Sequence, residues 1–237
     1  MNIKFFKDHF ENLNLRLENE NIKNFIPIVS QDFKIDKINF SNFWKECENE
    51  NIKIKDKKEK IKIRGLIEIT KKIFLNNHSN KIYNHITSNR NKFVKIDELV
   101  HLANDIVPYL TPSKEQLIIE NKKILKEKEG IETDQGLFLS AVLSNQLEGS
   151  HLCHSMLLPS DLALEKKEEF NKNKKVQFDG ASVEKFEKHI LVTLENGEYL
   201  NAEDERTLLP LEAAIDLAIL DKDTDIAVLR GEVVKHP

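Results

Sequence analysis

His189-Ile-Leu-Val-Thr-Leu194, then Leu211-Glu-Ala-Ala-Ile-Asp-Leu-Ala-Ile-Leu220, then Ile226-Ala-Val-Leu-Arg-Gly231: these three stretches decide the fold. The first and third are short apolar runs with β-branched residues, which are typical of buried strands. The second repeats apolar residues at three- and four-residue intervals, which predicts a helix entered at Leu209-Pro210. Two buried strands joined by one helix are most simply parallel neighbours with a right-handed crossover. The sequence therefore predicts a βαβ unit.

A hairpin is predicted immediately before this unit. The segment Ser182 to Phe186 can pair with His189 to Leu194 across a two-residue connection. Asn196-Gly197 is normally a hairpin signal as well, but Tyr199-Leu200 is too short to form a returning strand before the helix starts. We therefore expect a strand-to-helix loop here, with a short turn over 203–207.

The chain before residue 158 repeats apolar residues at helical spacing and is predicted to be mostly helical. The predicted helices cover residues 60–75, 96–109, 114–127, 136–145 and 149–158. Ser113 is the expected N-cap of the third. Residues 164–175 are dense in Lys, Glu and Asn and predict a linker. The expected organisation is an α+β protein with a helical region at 1–163, this linker, and a sheet-containing region at 176–237.

Five motifs follow one another along the chain after about residue 65. They are Asn77-His-Ser-Asn-Lys-Ile-Tyr83-Asn-His-Ile-Thr87, Glu129-Gly-Ile-Glu-Thr-Asp134-Gln-Gly136-Leu-Phe138, Gly149-Ser-His-Leu-Cys-His-Ser-Met156-Leu-Leu-Pro159, Leu200-Asn-Ala-Glu-Asp204 and Leu229-Arg-Gly-Glu-Val-Val-Lys-His-Pro237. Together they resemble the dihydroxyphenylacetyl-CoA dioxygenases, a cofactor-independent branch of the crotonase (enoyl-CoA hydratase/isomerase) superfamily.

The resemblance implies a mainly helical N-terminal region followed by the opening hairpin and βαβ unit of a crotonase-like fold. Residues 176–237 are too few for a whole domain of that kind, so we expect the fold to be incomplete at the C-terminus. In the resembled family the oxyanion-hole donors follow the segment that matches the end of this chain. The sequence therefore suggests a truncated or split gene product, or one half of a two-piece enzyme that pairs with a second polypeptide, and in each case a chain that is inactive alone. A homo-oligomer is a further expectation.

The activity implied by the resemblance is oxygenation of an arylacetyl-CoA thioester. Two backbone N–H groups stabilise the thioester enolate, the substrate carbanion reduces O2 directly, and the thioester is cleaved to an arylglyoxylate. CoA is part of the substrate and O2 is the co-substrate, so neither a metal nor an organic cofactor is expected. The alternatives are a non-catalytic fragment or interaction subunit and an ordinary acyl-CoA hydratase or isomerase.

Glu203 is the residue that the resemblance places in the acyl pocket, where it hydrogen-bonds a hydroxyl of the substrate's aromatic ring. Asn201 and Ala202 fall where the family's backbone runs beside the CoA moiety. The alternative for Glu203 is that it favours a helix N-terminus through the macrodipole, at about 0.3 to 1 kcal/mol. For Asn201 and Ala202 the alternative is loop and capping chemistry. No catalytic residue is assigned.

The histidine–cysteine group His151, Cys153 and His154 contains residue types that bind metals. On a helix, however, His151 and Cys153 point about 200° apart, so only His151 and His154 share a face. A structural role is therefore preferred, and no metal ligand is assigned. Asp134 is expected to place a cap before the helix that begins near Gly136.

Composition narrows the classes of function. A formal net charge of −4 gives no basic field for nucleic acid. Two cysteines far apart in the chain, Cys47 and Cys153, indicate free buried thiols in a reducing compartment. The charged N-terminus is unlike a signal peptide, and no apolar run is long enough to cross a bilayer. We therefore expect a cytoplasmic protein that binds neither nucleic acid nor membrane.

Overall fold

The computed structural model describes residues 27–234. The chain divides into two compact units, Met1–Met156 and Leu157–Pro237. The predicted absence of a signal peptide concerns N-terminal residues that lie outside the described part. Among the described residues, no helix combines the length and apolarity needed to cross a membrane.

The described part of the first unit is mostly helical, as predicted. Its helices are α1 (Phe33–Lys53), α2 (Lys57–Ile86), α3 (Ile96–Ile106), α4 (Lys114–Asn121), α5 (Thr133–Leu143) and α6 (Gln146–Met156), with a 3-10 turn at Leu125–Glu127. The predicted helix 60–75 thus lies mostly in the N-terminal half of the much longer α2, while α1 was not predicted. The other predicted helices differ from the structure only in where they begin or end.

Local capping explains several helix starts. Asp32 and Asp56 accept backbone N–H bonds at the first turns of α1 and α2. Ser113 caps α4 as predicted, and Gln116 completes a reciprocal capping box. The prediction that α4 continues to residue 127 was wrong. The buried Glu120 carboxylate accepts hydrogen bonds from the backbone N–H groups of Glu129 and Gly130, which draws the following chain back toward α4.

An aromatic cluster occupies the core between α1 and α2. Phe40, Trp44 and Phe74 are fully buried, and the Trp44 ring meets Phe74 edge-on with centroids 5.4 Å apart. The indole Nε1 donates to Thr70 Oγ1 at 3.0 Å, so the polar end of the buried ring is satisfied. Cys47 is also buried here, and burial raises the pKa of its thiol to about 12. This thiol is therefore neutral at physiological pH.

The second unit combines a small sheet with two helices. Its elements are α7 (Asp161–Asn173), β1 (Lys175–Gln177), β2 (Ala181–Lys185), β3 (His189–Leu194), α8 (Leu208–Leu220) and β4 (Ile226–Gly231). The strand order is β1-β2-β3-β4. Strands β2 and β3 form the predicted antiparallel hairpin, and β3 and β4 are parallel with Ile190 opposite Ala227. The predicted hairpin, βαβ unit and α+β class are confirmed.

Helix α8 supplies the apolar face that covers this sheet. Leu211, Ala214 and Leu217 are buried in one cluster with Val183 and Val192 of the sheet. Residues 211, 214 and 217 lie three apart, so they share one side of the helix. The residues that repeat at helical spacing in the sequence are thus the ones that contact the sheet.

The predicted linker at 164–175 is not a linker. Nearly all of it lies within α7, which Ser160 caps by accepting from Ala163 N, and its last residue begins β1. Although α7 is mostly Lys, Glu and Asn, Ala163 and Phe170 are buried in the core of the second unit. Two well-placed apolar residues are enough to anchor a helix whose other faces are solvated.

Candidate functional site

The C-terminal ends of the parallel strands β3 and β4 lie side by side. Glu232 N donates to Leu194 O at 2.8 Å, which extends the pairing beyond β4. From this edge residues 195–207, the β3–α8 loop, lead to the helix. In parallel sheets with crossover helices, ligands bind beyond the carboxyl ends of the strands. A ligand site in the second unit is therefore expected at this edge.

The β3–α8 loop contains an unusual backbone corner. After a 3-10 turn at Gly197–Tyr199, both Leu200 and Asn201 adopt left-handed conformations, with φ of 56° and 58°. Asparagine tolerates this region, whereas a leucine there costs on the order of 1 kcal/mol or more. Two such residues in succession persist only where the surroundings hold them.

Side-chain hydrogen bonds on both sides hold this corner. Asn196 Nδ2 donates to Ala202 O at 2.7 Å, and the Asn196 backbone N donates to Asn201 Oδ1 at 3.3 Å. Asn201 Nδ2 in turn donates to Glu232 O at 2.9 Å. The Glu232 carboxylate accepts from Gly197 N at 2.6 Å. The loop is therefore fastened at its start, at its corner and across to the end of β4.

Asp204 prepares the start of α8. Its carboxylate accepts hydrogen bonds from the backbone N–H groups of Arg206 and Thr207, each at 3.0 Å. Burial acts to raise the pKa of Asp204, but the hydrogen bonds from Thr207, Asn196 and Arg206 outweigh it and lower the pKa. No acidic residue lies in the first turn of α8 itself. The helix-terminal role considered for Glu203 is thus filled by Asp204.

Of the three predicted site residues, Asn201 is part of the corner, and Ala202 and Glu203 follow it directly; the three differ in what they can contact. The side chain of Asn201 accepts from Asn196 N within the loop and donates to Glu232 O beyond the end of β4. Ala202 has its carbonyl bonded to Asn196. Glu203 is exposed, and its carboxylate makes no hydrogen bond or ion pair with another described residue. Of the three, Glu203 has the side chain that is free to meet a ligand.

The histidine–cysteine group lies on α6 in the first unit. The His151 ring stacks on Phe93 with centroids 4.7 Å apart, and His154 contacts the same Phe93 ring at 5.1 Å, so these two histidines do share a face. Tyr83 Oη lies 2.7 Å from His151 Nδ1. Cys153 is exposed, which corrects the expectation that both thiols are buried. Within residues 27–234 no cluster of three His, Cys, Asp or Glu side chains is arranged to hold a metal.

Asp134 was predicted to cap a helix from the position before it. It lies instead inside the first turn of α5, where it is buried. Its carboxylate meets Lys71 Nζ at 2.8 Å and Arg64 Nη2 at 2.7 Å, both on α2. Lys71 is itself buried and lies 5.4 Å from the centre of the Trp44 ring. This ion cluster joins α2 to α5. Nothing in the spacing of the sequence marked Lys71 as the partner.

Comparison with known proteins places these features in context. No family model matches the chain. The chain is similar to a (3,5-dihydroxyphenyl)acetyl-CoA 1,2-dioxygenase of Amycolatopsis orientalis, with 39% identity over 160 residues. The match covers 68% of this chain and 37% of the length of that relative.

Proposed function

We propose that the chain belongs to the dihydroxyphenylacetyl-CoA dioxygenase family and takes part in the oxygenation of an arylacetyl-CoA thioester. The observation that carries this proposal is the 39% identity to a dioxygenase with that substrate over 68% of the chain. The confirmed hairpin and βαβ unit are consistent with a crotonase-like fold, which we propose as well. In this proposal O2 reacts with the substrate enolate itself, without a metal or organic cofactor.

Glu203 is proposed to recognise the hydroxylated ring of the acyl group. Its carboxylate has no partner among the described residues, lies at the carboxyl edge of parallel strands and follows a fixed corner. An ionised carboxylate is an acceptor, and a phenolic hydroxyl is a donor. A hydrogen bond between them is charge-assisted and contributes about 1.5 to 3 kcal/mol.

Binding measurements test this role directly. The Kd values of (3,5-dihydroxyphenyl)acetyl-CoA and unsubstituted phenylacetyl-CoA are measured by calorimetry for the wild-type chain, for Glu203→Gln and for the matched control Glu205→Gln. Glu203→Gln should weaken binding of the dihydroxylated thioester by about tenfold or more and leave the unsubstituted one unchanged. Glu205→Gln should change neither. Equal losses for both thioesters, or no loss for either, would refute the assignment.

Turnover is proposed to need more than this chain. The chain spans 37% of the length of the relative that it matches, and the motifs that carry the family resemblance do not include the oxyanion donors. Removal of one such donor typically costs about 10²- to 10³-fold in rate. We expect no O2 consumption by the chain alone and O2 consumption when the remaining part of the relative is added. O2 consumption by the isolated chain at a rate near that of the whole relative would contradict the proposal that turnover needs more than this chain.

A second candidate function, assembly with another polypeptide, is favoured by β4. In the described part of the chain, β4 is the edge of the sheet, and Leu229 is 56% exposed. An exposed apolar edge strand is a template for pairing with another chain. A lysine on such an edge opposes pairing, so Val228→Lys should prevent capture of the remaining part of the relative in a pull-down. Unchanged capture by this variant would remove β4 as the contact.

A further inference from the structure

We infer that Glu232 and Asn201 are positioning residues, which hold the Leu200–Asn201 corner in its left-handed form and thereby fix the direction of Glu203. This inference rests on the proposed function, because it concerns how Glu203 is presented to a ring hydroxyl. It assigns a role to Glu232, which lies in the last of the five motifs but had no role assigned to it. It also changes the role of Asn201 from substrate contact to support of the neighbouring acid.

The first support is the location of the strain. Leu200 and Asn201 are consecutive non-glycine residues with positive φ, and Glu203 follows two residues later. Strained backbone persists where the surrounding structure over-determines it, and such places cluster at functional sites. If Asn201 relaxed from φ 58° to the usual helical value of about −60°, the chain entering Ala202 and Glu203 would turn by about 120°.

The second support is a brace that prevents this relaxation. It consists of the two hydrogen bonds that Glu232 accepts from the loop. The Glu232 carboxylate holds Gly197 N at 2.6 Å, and the Glu232 carbonyl holds Asn201 Nδ2 at 2.9 Å. One residue thus fixes the loop at two points, one on each side of Leu200. Because Glu232 N also pairs with Leu194 O at 2.8 Å, the brace is anchored to the end of β3. The position of the corner is therefore set by the sheet.

The third support is the absence of a side chain at residue 231. A Cβ added to Gly231 would lie 2.5 Å from Asn201 Nδ2, and one added to Gly197 would lie 2.7 Å from Glu232 Oε1. Contacts this short displace the neighbouring group. The two glycines therefore leave the space in which the Asn201 amide and the Glu232 carboxylate reach their backbone partners. The two glycines in the sequence are thus compatible with the hydrogen-bonded loop conformation seen in the structure.

The test measures ligand selectivity rather than stability alone. Selectivity is defined as the Kd of phenylacetyl-CoA divided by the Kd of (3,5-dihydroxyphenyl)acetyl-CoA, measured with the full chain. Glu232→Ala should lower this ratio by about tenfold, close to the value for Glu203→Gln, because the acid is no longer held toward the ring. Glu232→Gln keeps an oxygen acceptor for Gly197 N and should retain most of the selectivity. Glu187→Ala, in the exposed β2–β3 turn, should behave as wild type.

Two further measurements separate positioning from general destabilisation. Adding Glu232→Ala to Glu203→Gln should cause no further loss of selectivity, since the group being positioned is already changed. Hydrogen exchange of the Gly197 amide should accelerate in Glu232→Ala, while amides in β2 and β3 keep their protection. General destabilisation would instead accelerate exchange throughout the second unit, which would overturn the inference.

The failure of this inference is distinguishable from failure of the proposed function. If Glu203→Gln lowers the selectivity but Glu232→Ala does not, the positioning role is refuted and the proposed function stands. If the wild-type chain does not prefer the dihydroxylated thioester and Glu203→Gln changes nothing, both are refuted together.

Discussion

Replacing Asp134 with asparagine is expected to destabilise the helical unit by about 3 kcal/mol, because it leaves Lys71 buried without its counter-ion. The side chains of Lys71 and Asp134 are only 1% and 4% exposed, and their charged atoms lie 2.8 Å apart. Breaking such a pair typically costs about 3 to 5 kcal/mol. The lower end applies here, because burial lowers the pKa of Lys71 and favours its neutral form once Asp134 is gone.

The free energy of unfolding is measured by urea titration. Trp44 is the single tryptophan of the chain and lies in the helical core, so its fluorescence reports on this unit. The control is Glu68→Gln, which removes the exposed pair with Lys72 on the same helix as Lys71. That pair should contribute less than about 0.5 kcal/mol.

A double variant completes the cycle. Lys71→Met with Asp134→Leu removes the two buried charges and fills similar space, and it should recover most of the stability lost in Asp134→Asn. The remaining partner of Asp134, Arg64, has a side chain that is 20% exposed, so water can solvate its charge. A loss below about 1 kcal/mol for Asp134→Asn would show that the pair is not desolvated as described. A double variant less stable than Asp134→Asn would refute the argument that the unpaired charge is the cause.

Three further outcomes are expected. Gly149→Ala should lower the free energy of unfolding by about 1 to 3 kcal/mol, because a Cβ there would lie 2.8 Å from Leu143 O. In the same assay Gly136→Ala, in open space within α5, should raise it by about 0.4 to 1 kcal/mol, and the reverse order would contradict the packing. Burial lowers the pKa of His151 below its usual 6.5, so the folded state should lose stability progressively as pH falls from about 6.5 through the lower pKa of the folded state. His151→Gln should show a shallower loss of stability in acid, and an unchanged profile would exclude His151 as the source. Elemental analysis after dialysis against chelator should find no stoichiometric metal, and about one zinc or iron per chain would reverse our assignment of the histidine–cysteine group.

Sequence alone determined the parts of this protein that depend on neighbours within a few residues. The apolar run at 189–194 and the helical repeat at 211–220 predicted a strand and a helix, because periodicity records which face is buried. The capping box at Ser113 is equally local, since Gln116 lies one turn away. The motif Leu200-Asn-Ala-Glu-Asp204 likewise depends on neighbouring residues, and the site that it predicts in the β3–α8 loop stays a prediction.

Tertiary structure decided what depends on distant partners. Residues 164–175 read as a linker because their composition is polar, but the buried Phe170 makes most of them a helix. Asp134 acquires its role from Lys71, 63 residues earlier in the chain, and Gly197 is held by Glu232, 35 residues later. Periodicity and capping carry no information on such pairings, because these contacts form only when separate elements pack and remove the charges from water.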